Sequence, residues 1–142
     1  VLKKYSKDKM EKIHIEGDPK LKNNPGKQFS MFIGRWQPWH DGHRWLIDQR
    51  LEQGKNVLIC IRDIEPNEQN PFTAQEVHDN ITIKLFNLIH EGRVIVMVIP
   101  DVESVNFGRG VGYDIIEHLP PQEVSDISAT KIREQLKQEG KL

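Results

Sequence analysis

The stretch Ile33-Gly34-Arg35-Trp36-Gln37-Pro38-Trp39-His40-Asp41-Gly42-His43 decides how the rest of the chain is read. It continues a short apolar run that starts at Phe29 and leads into a helical pattern, so two histidines bracketing a glycine fall where a strand ends and a helix begins. Such a junction attracts anions. The first backbone N–H groups of a helix have no partner inside it and carry the positive end of the macrodipole, so phosphate is favoured there before any side chain contributes. Gly42 is read as leaving room for a ligand to approach the backbone. With Asp41 as the N-cap, His43 lies in the first turn and leans back toward His40, so two imidazoles are expected to face one phosphate. A metal-binding pair and a solvated turn are the competing readings of the same residues.

Outward from this stretch, apolar runs and helical patterns alternate from Phe29 onward, which predicts an α/β domain with a largely parallel sheet. Residues 29–35 read as the first strand, 42–53 as the first helix ended by Gly54, and 56–62 as the second strand. Thr73 and Glu76 then form a Thr-x-x-Glu capping box, with Phe72 and Val77 at the two positions of a hydrophobic staple. The apolar residues Val77, Ile81, Leu85 and Leu88 continue that helix at helical spacing. Residues 93–99 read as a third strand, covered on both faces because its run has no polar alternation, and Pro100 ends it. Residues 113–118 are ambiguous by pattern. A fourth strand is placed there because the chain has to return to the sheet before its last helix, at about 128–138. The expected fold is a Rossmann-like three-layer α/β sandwich of about four to five strands. Right-handed crossovers would put helix starts at the carboxyl ends of the strands, with the ligand where strand order reverses and the first and last helices opening toward one crevice.

The start of that last helix, Ile127-Ser128-Ala129-Thr130-Lys131-Ile132-Arg133, carries a second constellation. Ser128 and Thr130 put two hydroxyls and several free N–H groups at a helix start, and Arg133 one turn later offers a planar fork of donors suited to phosphate oxygens. The plain alternative is a Ser-capped helix with an exposed arginine.

The histidine stretch resembles the HxGH signature of the nucleotidyltransferase superfamily, often called cytidylyltransferase-like. Its Gly-Arg-aromatic-Gln-Pro-aromatic-His lead most resembles the archaeal-type nicotinamide mononucleotide adenylyltransferases. Residues 127–133 resemble the Ile-Ser-x-Thr-x-x-Arg signature of that superfamily, and Asn70-Pro71-Phe72-Thr73 resembles a segment that follows the second strand in the adenylyltransferases. The resemblance implies that 29–142 is a nucleotidyltransferase catalytic domain transferring a nucleoside monophosphate from an NTP to a phosphomonoester small molecule, with release of pyrophosphate. ATP is favoured and CTP is the alternative, as in a cytidylyltransferase acting on a phospho-alcohol; a non-catalytic nucleotide-binding module of a larger protein is the further alternative. His40, His43 and Arg133 are implied as catalytic residues, and Gly34, Arg35, Gly42, Ser128 and Thr130 as nucleotide and phosphate contacts. Mg²⁺ is expected to arrive with the NTP. The chain departs from those enzymes after the second strand, where Arg62-Asp63-Ile64-Glu65 replaces small residues. Arg62 and Asp63 therefore read as acceptor contacts or as a surface ion pair.

Trp36 and Trp39 read as pocket-lining rings able to stack on a base, one of them belonging to the core. The segment Asn106-Phe107-Gly108-Arg109-Gly110-Val111-Gly112-Tyr113 superficially resembles a dinucleotide fingerprint. Its glycine spacing is wrong and no clear helix follows, so it reads as a loop near the crevice with Arg109 as a candidate phosphate contact. His14, His78, His90 and His118 stand in no motif.

At 142 residues and a formal net charge of −1, the composition is that of a single globular domain without the strongly basic footprint of a general nucleic-acid binder. Any anion site must be local. The single Cys60 allows no intramolecular disulfide and reads as a buried, inert thiol inside Val57-Leu58-Ile59-Cys60-Ile61. No stretch is long or apolar enough to span a bilayer and no secretory h-region is read, so a cytoplasmic protein without a membrane partner is expected, its oligomeric state left open and a homo-oligomer among the options. Residues 1–28 read as a polar leader, weakly structured or an edge element, whose Lys3, Lys4, Lys7 and Lys9 form a solvated charge run.

Overall fold

The computed structural model describes residues 26–109 and 112–142. Most of the predicted leader, residues 1–25, lies outside the described residues, as do Gly110 and Val111.

Three parallel strands form one sheet in the order β1-β2-β3: β1 (Phe29–Gly34), β2 (Asn56–Asp63) and β3 (Val94–Pro100). The register sets Ile33 beside Cys60 and Cys60 beside Met97. Helix α1 (Asp41–Leu51) joins the first pair, and α2 (Ala74–Lys84) with the short α3 (Phe86–His90) joins the second. Both crossovers step in the same direction across the sheet, and right-handed connections then put their helices on the same face. The core follows from that placement. Ile47 and Leu51 of α1, with Val77 and Ile81 of α2, pack against Val57, Ile59 and Ile61 of β2 and Val94 of β3. Each such aliphatic side chain contributes roughly 1.5–3 kcal/mol on leaving water.

The local signals of α2 are present as read. Thr73 Oγ1 accepts from the Glu76 N–H at 3.1 Å, Glu76 Oε1 accepts from the Thr73 N–H at 3.1 Å, and Phe72 and Val77 join the same core cluster. The helix then breaks at Leu85 (φ −110°, ψ 20°), where one continuous helix was expected. Leu85 remains buried and Leu88 packs against the core, so the apolar period runs through a break that no Gly or Pro announces.

Three expectations are corrected. The Rossmann-like α/β class holds, but the sheet among the described residues has three strands, in sequence order, with no reversal. Residues 113–118 form no strand; His118 returns to β1 by stacking on the Phe32 ring at 6.2 Å, without a backbone ladder. The chain comes back to the sheet through a side chain instead. β3 is not covered on both faces, because it is an edge strand: Val94 and Ile95 are buried, whereas Met97 and Val98 are 37% and 39% exposed. Cys60 is buried as expected, and burial pushes its thiol pKa up. Two helices close the chain, the single turn α4 (Gln122–Ser125), which was not anticipated, and α5 (Ala129–Gln138), with Ser128 as its N-cap.

Candidate functional site

The N-terminus of α1 is capped by histidine, not by Asp41. His40 is the N-cap (φ −144°, ψ 178°), and its Nδ1 accepts from the Gly42 N–H at 3.0 Å. His43 completes the box, its Nδ1 accepting from the His40 N–H at 3.1 Å. Imidazole thus does at both positions what Ser and Glu do in an ordinary capping box. A neutral ring that accepts at Nδ1 carries its proton on Nε2, so both side chains present an Nε2–H donor. The rings stack with centroids 3.6 Å apart and planes 17° from parallel. At Gly42 a Cβ would come within 2.8 Å of His40 Cε1. The space expected for a ligand at that glycine is filled by the capping ring.

Burial sets the charge of the pair. His43 is pushed down to about 3 by loss of solvent, with the neighbouring His40 adding to the effect. For His40, burial again lowers the pKa; Asp41 opposes the shift and Lys84 adds to it. At neutral pH both are uncharged hydrogen-bond donors.

Behind them lies an indole pair. Trp36 and Trp39 are only 6% and 4% exposed, so both and not just one belong to the core, while both still line a cleft beside His40. Trp36 stands edge-on to His43, centroids 4.8 Å apart at 88°, and Trp39 lies 5.4 Å from the same ring. Trp36 takes a left-handed backbone conformation (φ 54°), which costs a bulky residue about 1–2 kcal/mol. Its Nε1–H donates to Cys60 O at 3.0 Å, and burial of a large ring offsets that strain. Arg35, between β1 and this cluster, points into solvent.

The last helix meets the same junction. Arg133 Nη1 donates to Gln37 O at 2.6 Å and Nη2 to Thr130 Oγ1 at 3.3 Å. Ile127 Cβ lies 3.7 Å from where a Cβ on Gly42 would stand. The Ser128 cap is long, its Oγ accepting from the Lys131 N–H at 3.4 Å. Gln37 is the residue that sequence reading passed over. Its buried side chain accepts from the Phe72 N–H at 3.0 Å and donates to Phe72 O at 2.9 Å, while its own carbonyl holds Arg133. One glutamine therefore ties together the histidine stretch, the Asn-Pro-Phe-Thr segment and the last helix.

A cleft of about 590 Å³ opens beside His40. Asp41 and Trp39 line it on one side, Glu76, Asn80 and Lys84 of α2 on another, and Ile127, Ile132 and Leu136 on the third. Ser128, Thr130 and Arg133 flank this cleft without lining it, because α5 turns its apolar stripe inward. Asn80 and Lys84 were legible as the i+4 and i+8 continuation of Glu76, but no motif marked them. Of the other candidates, Arg62 pairs with Asp101 at 2.7 Å, not with Asp63, which is exposed. Arg109 is exposed and stands apart from the cleft lining. Among the described residues no group of three or more His, Cys, Asp or Glu could hold a metal ion, and no helix is long and apolar enough to cross a membrane.

The site thus combines a parallel α/β sheet with a first crossover helix that opens on His-x-Gly-His. The chain matches no family profile. It is 34% identical over 101 residues to a nicotinamide-nucleotide adenylyltransferase of Caldivirga maquilingensis, covering 67% of this chain and 53% of that protein. A nicotinamide/nicotinic acid mononucleotide adenylyltransferase of Acinetobacter baylyi is 33% identical over 76 residues, 52% of this chain and 40% of its own length. A nicotinamide-nucleotide adenylyltransferase of Thermoplasma acidophilum is 26% identical over 95 residues, 66% and 50% of the two chains. The similarities are thus to nicotinamide-nucleotide adenylyltransferases, and the chain spans about half the length of the curated relatives it matches.

Proposed function

We propose that the chain is a nucleotidyltransferase of the mononucleotide-adenylyltransferase type, moving a nucleoside monophosphate from an NTP, with ATP favoured, to a phosphomonoester and releasing pyrophosphate. The observation that carries this reading is the pair of neutral, Nδ1-accepting imidazoles at the start of α1, with Arg133 held three residues away on the Gln37 carbonyl.

The chemistry asks little of a protein base. A phosphomonoester has a second pKa near about 6 and is mostly dianionic at neutral pH, so the nucleophile is already charged. Its oxygen bonds to the α-phosphorus, the bond to the bridging oxygen breaks, and the electron pair leaves with pyrophosphate. What the protein supplies is in-line placement and donors where charge develops. His40 and His43 do this through their Nε2–H groups, one toward an α-phosphate oxygen and one toward the bridging oxygen. Their neutrality suits the task, since a neutral donor does not bind the triphosphate so tightly that the ground state gains as much as the transition state. Arg133, Thr130 and Ser128 hold the departing pyrophosphate. Mg²⁺ belongs to the substrate here and neutralises the triphosphate it accompanies.

Pyrophosphate release from each of four NTPs, against a panel of phosphomonoesters that includes nicotinamide mononucleotide, tests the reading. Turnover with ATP and one acceptor is expected. Binding without turnover in every combination would leave a nucleotide-binding module and remove the enzyme.

A further inference from the structure

We infer that Trp36 is the positioning residue for His43, holding the imidazole so that its Nε2–H is fixed in direction before any ligand arrives. The inference rests on the reading of His43 as a phosphate donor. Capping alone does not fix that ring. The hydrogen bond from the His40 N–H specifies which nitrogen accepts, but a side chain at the first turn of a helix can swing away from a single 3.1 Å bond. A ring held on its faces and edge cannot. His40 stacks on one face of His43 at 3.6 Å, and Trp36 meets it almost perpendicularly at 4.8 Å.

Trp36 is itself anchored from three directions. Its Nε1–H reaches Cys60 O on the central strand, at 3.0 Å. Trp39 packs on it with centroids 5.4 Å apart. The third anchor is a vacancy in the sequence. A Cβ at Gly34 would stand 2.8 Å from Trp36 Cε2 and 2.9 Å from Cζ2, so the last residue of β1 lacks a side chain where the indole lies down. The positive φ of Trp36 folds the ring back into that space. A line of contacts thus runs from the backbone of β2, through a buried indole, to the imidazole that would touch phosphate. Rigid elements of this kind hold reacting groups more closely than a loop can.

Nitrogen-15 spectra of the histidine side chains at neutral pH test this on the full chain, without any turnover. Wild type is expected to show His43 as one Nε2–H tautomer, and Trp36→Leu a mixture. Trp36→Phe, which keeps a ring edge and loses the bond to Cys60, falls between the two. Gly34→Ala displaces the indole and reproduces the Leu pattern. In pyrophosphate release, Trp36→Leu lowers kcat about tenfold or more with little change in KM for the NTP, and Trp36→Phe recovers most of it. A folded Trp36→Leu protein that keeps a single His43 tautomer overturns the inference; if that variant does not fold, the same result in Trp36→Phe and Gly34→Ala does so. Loss of the tautomer in a protein that turns over no NTP at all discards the proposed function and leaves the positioning role standing.

Discussion

The two helix starts that meet at Gln37 are built in opposite ways. At α1 the groups are half-buried, reciprocally capped and stacked, and each imidazole has its accepting nitrogen already occupied. At α5 the cap is a 3.4 Å contact, Thr130 is exposed, and the guanidinium rests on a backbone carbonyl and a hydroxyl. The first is set before a ligand binds; the second, on the proposed function, would exchange partners for phosphate oxygens. A reaction that needs exact placement at the α-phosphorus but only grip on a leaving group would distribute its residues in this way.

The sharpest way to break the contrast is His43→Ala. Loss of a preorganised donor is expected to lower turnover by about 10²–10³-fold, read by pyrophosphate release. Because His43 also completes the cap and fills space beside two indoles, a lower melting temperature accompanies the loss, so activity is compared below the melt. Normal turnover would remove His43 from the chemistry.

Acid separates the two starts next. Unfolded, His43 protonates near the ordinary 6.5; folded, it stays neutral down to about 3. Between those values the unfolded chain binds more protons, so stability rises with pH across the window and is lost as pH falls through it, by a few kcal/mol. Urea unfolding at pH 7 and pH 4 measures the drop, and His43→Gln should flatten it. An equal drop in that variant would place the acid sensitivity elsewhere.

Arg133→Ala probes the adaptable side. KM for the NTP is expected to rise about tenfold, as for one charge-assisted hydrogen bond, with kcat within a few-fold of wild type. A collapse of kcat instead would mean that this start, too, acts on the transition state. The smallest effect is that of Thr73→Ala, which removes a helix cap that hydrogen-bonds neither imidazole: about 1 kcal/mol of stability by denaturant unfolding and unchanged kcat.

Where the signal lay in local chemistry, the sequence was a good guide. The Thr73 cap, the staple and the three strands follow from periodicity and end signals that act within a few residues. Histidine as the cap of α1 was not visible, because imidazole is an uncommon capping group and Asp41 next to it is a common one. The fourth strand failed for a different reason: Tyr113 to His118 has the apolar residues of a strand, but pairing with β1 is a long-range event that pattern does not encode. Gln37 shows the same limit. Its amide looked like part of a motif, and only the fold reveals that it clamps Phe72, thirty-five residues on, in both directions.

The indoles behind the histidines give the protein an optical consequence. Trp36 and Trp39 are two of three tryptophans in the chain, and both touch His43. Protonation of His43 would set an imidazolium against both indoles, so their emission is expected to respond to the charge state of the histidine pair. A cuvette and a pH ramp would read the state of this junction in real time, with no label attached.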